Sequence, residues 1–129
     1  MARGYDQHRQ RQEATALLGR PLARRSRSRC ELCEAGQVRL VPFEVAPIPE
    51  DPDPDHAAML CPACLSGALG ARLDPVASRH LERACWSEVP AVQVLAVRLL
   101  RRLAAERVGW AVEALDGLYL DPEIEEWIG

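Results

Sequence analysis

The chain has no lysine, few aromatic residues and no long apolar run. Aromatic residues are limited to three Trp, two Tyr and one Phe, so aliphatic side chains must build most of any core. No stretch approaches the ~20 apolar residues that a membrane-spanning helix requires. The polar start, residues 1–8, lacks the apolar segment of a signal peptide. We therefore expect a cytoplasmic protein whose thiols stay reduced.

Motifs of common catalytic sites are also missing. The sequence contains no Gly-rich phosphate loop, no GxSxG nucleophile elbow and no HExxH metalloprotease motif. Its three His residues, His8, His56 and His80, lie in three different predicted segments. Two-metal hydrolysis needs several His and Asp side chains converging on paired cations. We predict no catalytic residues and no organic cofactor, which favours a non-enzymatic role.

Charge is unevenly distributed along the chain. Residues 1–29 carry eight Arg against Asp6 and Glu13, whereas residues 30–129 carry eight Arg against 17 acidic residues. We attribute the use of Arg in place of Lys to the coding bias of the gene before any chemical role. The basic start has two interpretations: a solvated, partly disordered arm, or a surface that contacts a polyanion such as nucleic acid.

Four of the five cysteines form two CxxC pairs, Cys30–Cys33 and Cys61–Cys64. A CxxC turn directs two sulfur atoms at one point, and a second turn completes a tetrahedron around a cation such as zinc, with Zn–S near ~2.3 Å. Four thiolates close the coordination shell and leave no position for water. We therefore predict a structural Zn²⁺ site whose ligands are Cys30, Cys33, Cys61 and Cys64.

The alternatives for these cysteines are weaker. Iron in a rubredoxin-like site uses the same tetrahedral thiolates. Two structural disulfides conflict with a reducing cytosol. Redox chemistry at one CxxC would need a βαβ setting, which the pattern does not show.

The order of elements predicts a small α+β protein in which a treble-clef zinc finger precedes a compact helical subdomain. Alternating apolar residues on either side of Pro42 predict a short edge strand or a hairpin with a break, because a central strand does not accept proline. Met59-Leu60 should form a strand that leads into the second CxxC pair, and 65–69 should form a short helix. Ala35-Gly36 should form the tight turn after Cys33, because glycine accepts a positive φ.

The predicted organisation has three parts. Residues 1–21 form a basic N-terminal arm, partly disordered or helical, of which 1–11 should be loose. Residues 22–72 form the four-cysteine finger, including an exposed acidic loop over 47–55. Residues 73–129 form the helical subdomain, with helices over 74–84, 88–106, 109–116 and 121–128. In the longest of them apolar residues recur at helical spacing, at Val92, Leu95, Ala96, Leu99, Leu100 and Leu103. Asp121-Pro122 should cap the last helix. Trp86, Trp110 and Trp127 should anchor its core.

Two further side chains, His80 and Cys85, are candidates for a functional role. His80 is expected to be a packed or capping residue, with a ligand or acid–base role as the alternative. Cys85 is expected to be a small buried hydrophobe, with a fifth ligand or a nucleophile as the alternative.

A set of short motifs resembles the bacterial PhnA-like zinc-ribbon proteins. They are CELC at Cys30, LCPAC ending at Cys64, and above all the stretch Trp86-Ser87-Glu88-Val89-Pro90-Ala91-Val92-Gln93-Val94. The resemblance covers roughly Leu17 to the C-terminus, without the SH3-like barrel that some members carry. It implies a small bacterial zinc-binding protein. The family name also implies an alternative function, as an enzyme or accessory factor in organophosphonate metabolism.

The finger layout is also similar to the zinc scaffold of HNH endonucleases. Those enzymes need a general-base His on the hairpin and a metal-binding His or Asn after the second CxxC. Here 40–45 contains no His, and Cys64 is followed by Leu65-Ser66-Gly67. The sequence therefore favours a non-enzymatic zinc-binding interaction module, in contact with nucleic acid or a protein through its Arg-rich start.

Overall fold

The chain forms a small α+β fold. The computed structural model describes the backbone of residues 2–129 and the side chains from residue 6 onward. Within those limits, no helix combines the length and the apolar character needed to cross a lipid bilayer. The elements are α1 (Ala2–Ala16), α2 (Gly19–Ser26), β1 (Val41–Glu44), a 3₁₀ turn (Pro54–His56), β2 (Ala57–Leu60), α3 (Pro62–Ala68), α4 (Leu81–Ala84), α5 (Pro90–Ala105), α6 (Gly109–Asp116) and α7 (Pro122–Ile128).

The basic start is helical where a loose arm was predicted for 1–11. Arg, Gln, Glu and Ala are good helix formers, and Arg9 lies 3.9 Å from both Asp6 and Glu13 on the same helix face. Arg11 forms an ion pair with Glu44 on β1 and donates to the carbonyl of Pro49 at 2.9 Å. Non-local contacts, which no local pattern reveals, therefore hold α1 against the sheet.

The sheet consists of two antiparallel strands. Val41 pairs with Leu60, and Glu44 pairs with Ala57. All four residues of β2 are buried, whereas β1 is half-buried along its length. Pro42 is accepted because β1 has only one hydrogen-bonding neighbour. The predicted edge strand and the strand at Met59-Leu60 are confirmed.

The long helix α5 is the centre of the core. Nine of its sixteen residues are buried, and they include the predicted apolar positions Val92, Leu95, Ala96, Leu99, Leu100 and Leu103. It contacts four other helices and one strand: α3, α4, α6, α7 and β2. The cysteines of the finger belong to the same buried cluster as α5. The predicted helices over 88–106, 109–116 and 121–128 are thus confirmed to within two residues.

Two hydrogen-bonded links join the helical half to the finger. Arg102 on α5 donates to the carbonyls of Gly67 and Ala71, each at 2.7 Å, and so binds the backbone at the C-terminal end of α3. Trp127 on α7 donates from Nε1 to the carbonyl of Ala46 at 2.9 Å. Both links lie between residues far apart in sequence.

Two details of the helical half differ from the prediction. The helix predicted over 74–84 is regular only over α4. Before it, Asp74 accepts from the backbone of Val76 at 2.8 Å, and the chain continues as a series of turns. Trp86, which lies two residues after the end of α4, is 51% exposed and is therefore not a core anchor. Trp110 and Trp127 are partly buried against the core.

Candidate metal centre

The four predicted ligands meet at one point. The Sγ atoms of Cys30, Cys33, Cys61 and Cys64 all lie within 4.8 Å of one another, and those of Cys33 and Cys61 are 3.7 Å apart. A tetrahedral ion with Zn–S near ~2.3 Å would place its sulfur ligands ~3.8 Å apart. All the cysteines are free thiols. The cluster therefore has the donor set and the spacing to hold one metal ion.

The first knuckle, Cys30–Cys33, is closed by backbone hydrogen bonds. The amide of Cys30 donates to the carbonyl of Ala35 at 3.0 Å, and the amide of Glu34 donates to the carbonyl of Cys30 at 2.8 Å. The tight turn places Glu34 at φ 66° and Gln37 at φ 56°, whereas Gly36 does not adopt a positive φ. The prediction that Gly36 supplies the left-handed residue was wrong. Instead, Gly36 forms a bridge with Arg29 that closes the turn.

The second knuckle, Cys61–Cys64, is built on the start of α3. Cys61 is the N-cap residue in an extended conformation, and Pro62 occupies the first helical position, where its missing N–H is not needed. The amide of Cys64 donates to Sγ of Cys61 at 3.5 Å. The turn of the helix thus directs both sulfur atoms toward the first knuckle.

Glu31, inside the first knuckle, fastens it to β2. Its amide donates to the carbonyl of Met59 at 2.8 Å, and its Oε1 accepts from the amide of Met59 at 2.9 Å. Met59 lies two residues before Cys61, so this clamp brings the two knuckles together. Arg25 holds the Glu31 carboxylate from α2. Sequence patterns gave no sign of this clamp, because its partners are distant in the chain.

The electrostatics of the cluster favour a cation. A hydrogen bond from Cys64, helped by backbone N–H groups, lowers the pKa of Cys30 to about 4. Burial raises the pKa of Cys33 to about 11, and the hydrogen bond to Cys30 together with burial raises the pKa of Cys64. One thiolate is therefore stabilised at neutral pH while its neighbours resist ionisation. A bound divalent cation would supply the charge that further thiolates need.

His80 lies beside the cluster. Its Nε2 is 3.9 Å from Sγ of Cys64, and its Nδ1 is 3.0 Å from the carbonyl of Ala77. Burial lowers the pKa of His80, which favours the neutral ring. His80 also lines a cavity of about 200 Å³ with Ser78 and mainly apolar side chains. This position suits a packed residue next to the sulfur ligands, as predicted.

Cys85 lies apart from the cluster. It is fully buried, and its Sγ donates to the carbonyl of Glu82 at 3.3 Å. Burial raises the pKa of this thiol, which lowers its reactivity. Cys85 does not line the cavity beside His80. The two side chains therefore do not converge on a common cavity.

The basic start is divided between structural and exposed arginines. Arg25 points inward and donates to the carbonyls of Pro54 and Ala57, at 2.8 and 2.7 Å. Arg24, Arg27 and Arg29 are exposed beside the first knuckle. Arg25 therefore belongs to the interior of the fold and not to this exposed group.

The acidic loop over 47–55 is irregular, as predicted, until the 3₁₀ turn. Asp53 caps that turn by accepting from the amide of Asp55 at 2.8 Å. The Asp53 carboxylate is therefore occupied by a hydrogen bond from the neighbouring backbone.

Comparisons of the chain with protein-family models, with curated proteins and with solved structures each found no match.

Proposed function

We propose that the chain is a non-enzymatic zinc-binding protein whose four cysteines hold one structural ion. The convergence of four Sγ atoms within 4.8 Å carries this proposal. Zinc is the preferred ion because it accepts tetrahedral thiolate ligands without a redox change, whereas iron is the alternative with the same ligands. Four sulfur ligands fill the tetrahedron, so the ion would stabilise the fold and leave no position for a reacting water.

The finger is proposed to be a treble clef of the PhnA-like kind. In support, a CxxC turn, a two-stranded hairpin and a second CxxC at the start of a helix follow one another. The resemblance rests on CELC, LCPAC and the stretch from Trp86 to Val94. A bacterial, cytoplasmic protein is part of the same proposal.

The ion would stabilise the fold of a module that binds a partner molecule. The exposed Arg27 and Arg29 line a cleft with Cys30 of the first knuckle, and the cysteines pack in one buried cluster with α5. We propose that the partner binds at the Arg-rich N-terminal region and that nucleic acid is the partner class. The organophosphonate alternative expects His80 and Cys85 to share a cavity, and Cys85 does not line the cavity beside His80.

Metal content after purification tests the proposal. The wild-type protein should carry one zinc per chain, and Cys61→Ser should lose it, because three thiolates and a hydroxyl bind zinc far more weakly. Cys85→Ser is the matched control: it also removes one buried thiol, and its hydroxyl can still donate to Glu82. It should keep the metal. Retention of a full equivalent by Cys61→Ser, or a wild-type protein that binds no zinc tightly, would contradict the structural site.

A further inference from the structure

One face of α2 consists of arginine. Arg20 and Arg24 are four residues apart, and Arg27 follows at the C-cap, so all three lie on one side of the helix. All three are exposed, whereas Leu18 and Leu22, which lie opposite them, are buried against β2. We call Arg20, Arg24 and Arg27 the arginine row. It extends over ~10 Å, at 1.5 Å per residue.

The first knuckle extends this surface with a fourth arginine. Arg27 and Arg29 line the same open cleft, whose other side chains are Ser28, Gln37, Val38 and Leu40. Arg29 is held there by its bridge to Gly36. This inference therefore rests on the proposed function, because the metal ion would fix the knuckle that positions Arg29.

These arginines have no acidic partners within the described part of the chain. None of the four takes part in a salt bridge there. The two acidic side chains that line a cleft with Arg27 and Arg29 are paired elsewhere: Glu31 with Arg25, and Glu34 with Arg83 at 3.5 Å. The charge of the surface is therefore available to an external anion.

The arginine row is costly to α2 itself. Like charges four residues apart on a helix repel each other and destabilise it. Arg20 is in the first turn, where the helix dipole disfavours a cation and where α2 has no acidic residue. A favourable interaction with the helix dipole can therefore explain only the arginines near the C-terminal end of α2, and not Arg20. An external anion bound along the row would offset these repulsions.

The chemistry of the surface identifies the anion. Protein interfaces are enriched in aromatic residues at their centre, and single-stranded nucleic acids need aromatic side chains on which bases stack. The exposed aromatic residues of the described chain, Trp86 and Tyr119, lie in the helical half. Insertion of α2 into a membrane surface would need its apolar face, which β2 already covers. We propose that the arginine row and Arg29 bind the phosphate backbone of double-stranded nucleic acid, independent of sequence.

Fluorescence anisotropy with labelled 20-base-pair duplexes tests this inference, using one DNA and one RNA duplex. Three or four phosphate contacts predict that log Kd rises with log[KCl] with a slope of about 3–4. The triple variant Arg20→Gln, Arg24→Gln, Arg27→Gln should bind at least ~10-fold more weakly and lose about 1 unit of slope per arginine. The two duplexes will show whether the backbone geometry of DNA or of RNA fits better.

A charge-matched control separates the effect of this surface on binding from the effect of net charge. The variant Arg72→Gln, Arg101→Gln, Arg107→Gln changes three exposed arginines outside the surface and alters the net charge equally. It should bind duplexes like the wild type. Equal losses in both variants, tighter binding to a single strand of the same length, or binding to anionic vesicles without duplex binding would each overturn the inference.

Zinc content, measured on the same samples, separates the two proposals. Protein that carries one zinc per chain but binds no duplex at 20 mM KCl would overturn the inference and leave the structural site intact. Protein without zinc would instead contradict the proposed function. The circular dichroism spectrum of the triple variant should match the wild type, because the replaced side chains are exposed.

Discussion

Arg25 and Glu31 form a bidentate ion pair, with Nε 3.0 Å from Oε2 and Nη2 2.8 Å from Oε1. The Glu31 side chain is 6% exposed and that of Arg25 is 23% exposed. The pair connects α2 to the first knuckle, while the same carboxylate binds the backbone of Met59 on β2. A single ion pair thus joins the basic helix, the sheet and one half of the metal centre.

Replacing Glu31 with Gln should destabilise the protein by about 2–3 kcal/mol, because charged hydrogen bonds with Arg25 are lost in a mostly buried setting. Urea denaturation at a fixed free zinc concentration measures the loss. Glu82→Gln is the matched control, since it breaks the exposed pair with Arg79. It should cost less than ~1 kcal/mol. Equal losses would show that the Arg25–Glu31 pair does not hold the knuckle in place.

Zinc affinity should decrease as the pH falls. At neutral pH Cys33 and Cys64 are protonated, because their pKa values are raised, whereas Cys30, with a pKa of about 4, is already a thiolate. Binding must therefore release at least two protons, so affinity should fall by at least ~100-fold per pH unit between pH 8 and 6. Competition with a chromophoric chelator measures this dependence. An affinity that changes by less than ~10-fold per unit would contradict the thiol assignment.

Leu100→Ala should destabilise the fold by about 3–4 kcal/mol, because it opens a cavity at a fully buried position of α5. Thermal or urea unfolding measures the change. Val76→Ala, at a position that is 82% exposed, should stay within ~0.5 kcal/mol of the wild type. A tolerated Leu100→Ala would mean that α5 is not the centre of the core.

Trp127→Phe should cost about 1 kcal/mol, because it removes the hydrogen bond from Nε1 to the carbonyl of Ala46. It keeps an aromatic ring next to His56, whose ring centre lies 4.7 Å away. Trp86→Phe is the control, since the Trp86 side chain is half-exposed. Equal stabilities of the two variants would indicate that α7 is not fastened to the loop before the 3₁₀ turn.

Local patterns were sufficient for much of the fold. The helical spacing from Val92 to Leu103 predicted α5, because the buried face of a helix repeats every 3.6 residues. Asp121-Pro122 marked the start of α7, and Pro42 marked an edge strand. Local patterns gave wrong predictions for the helical state of α1, for the burial of Trp86 and for which residue of the first knuckle has a positive φ. For α1 the outcome depended on distant residues, because Arg11 contacts Glu44 and Pro49.

The sequence by itself determined which sulfur atoms could share an ion, because the CxxC spacing fixes the geometry of each knuckle through backbone bonds over a few residues. Only the tertiary structure decided how the two knuckles meet. That meeting depends on Glu31, Arg25 and Met59, which are brought together by packing across the sheet. The tertiary structure also decided which arginines point inward and which remain on the surface, because the buried face of α2 is set by its contact with β2.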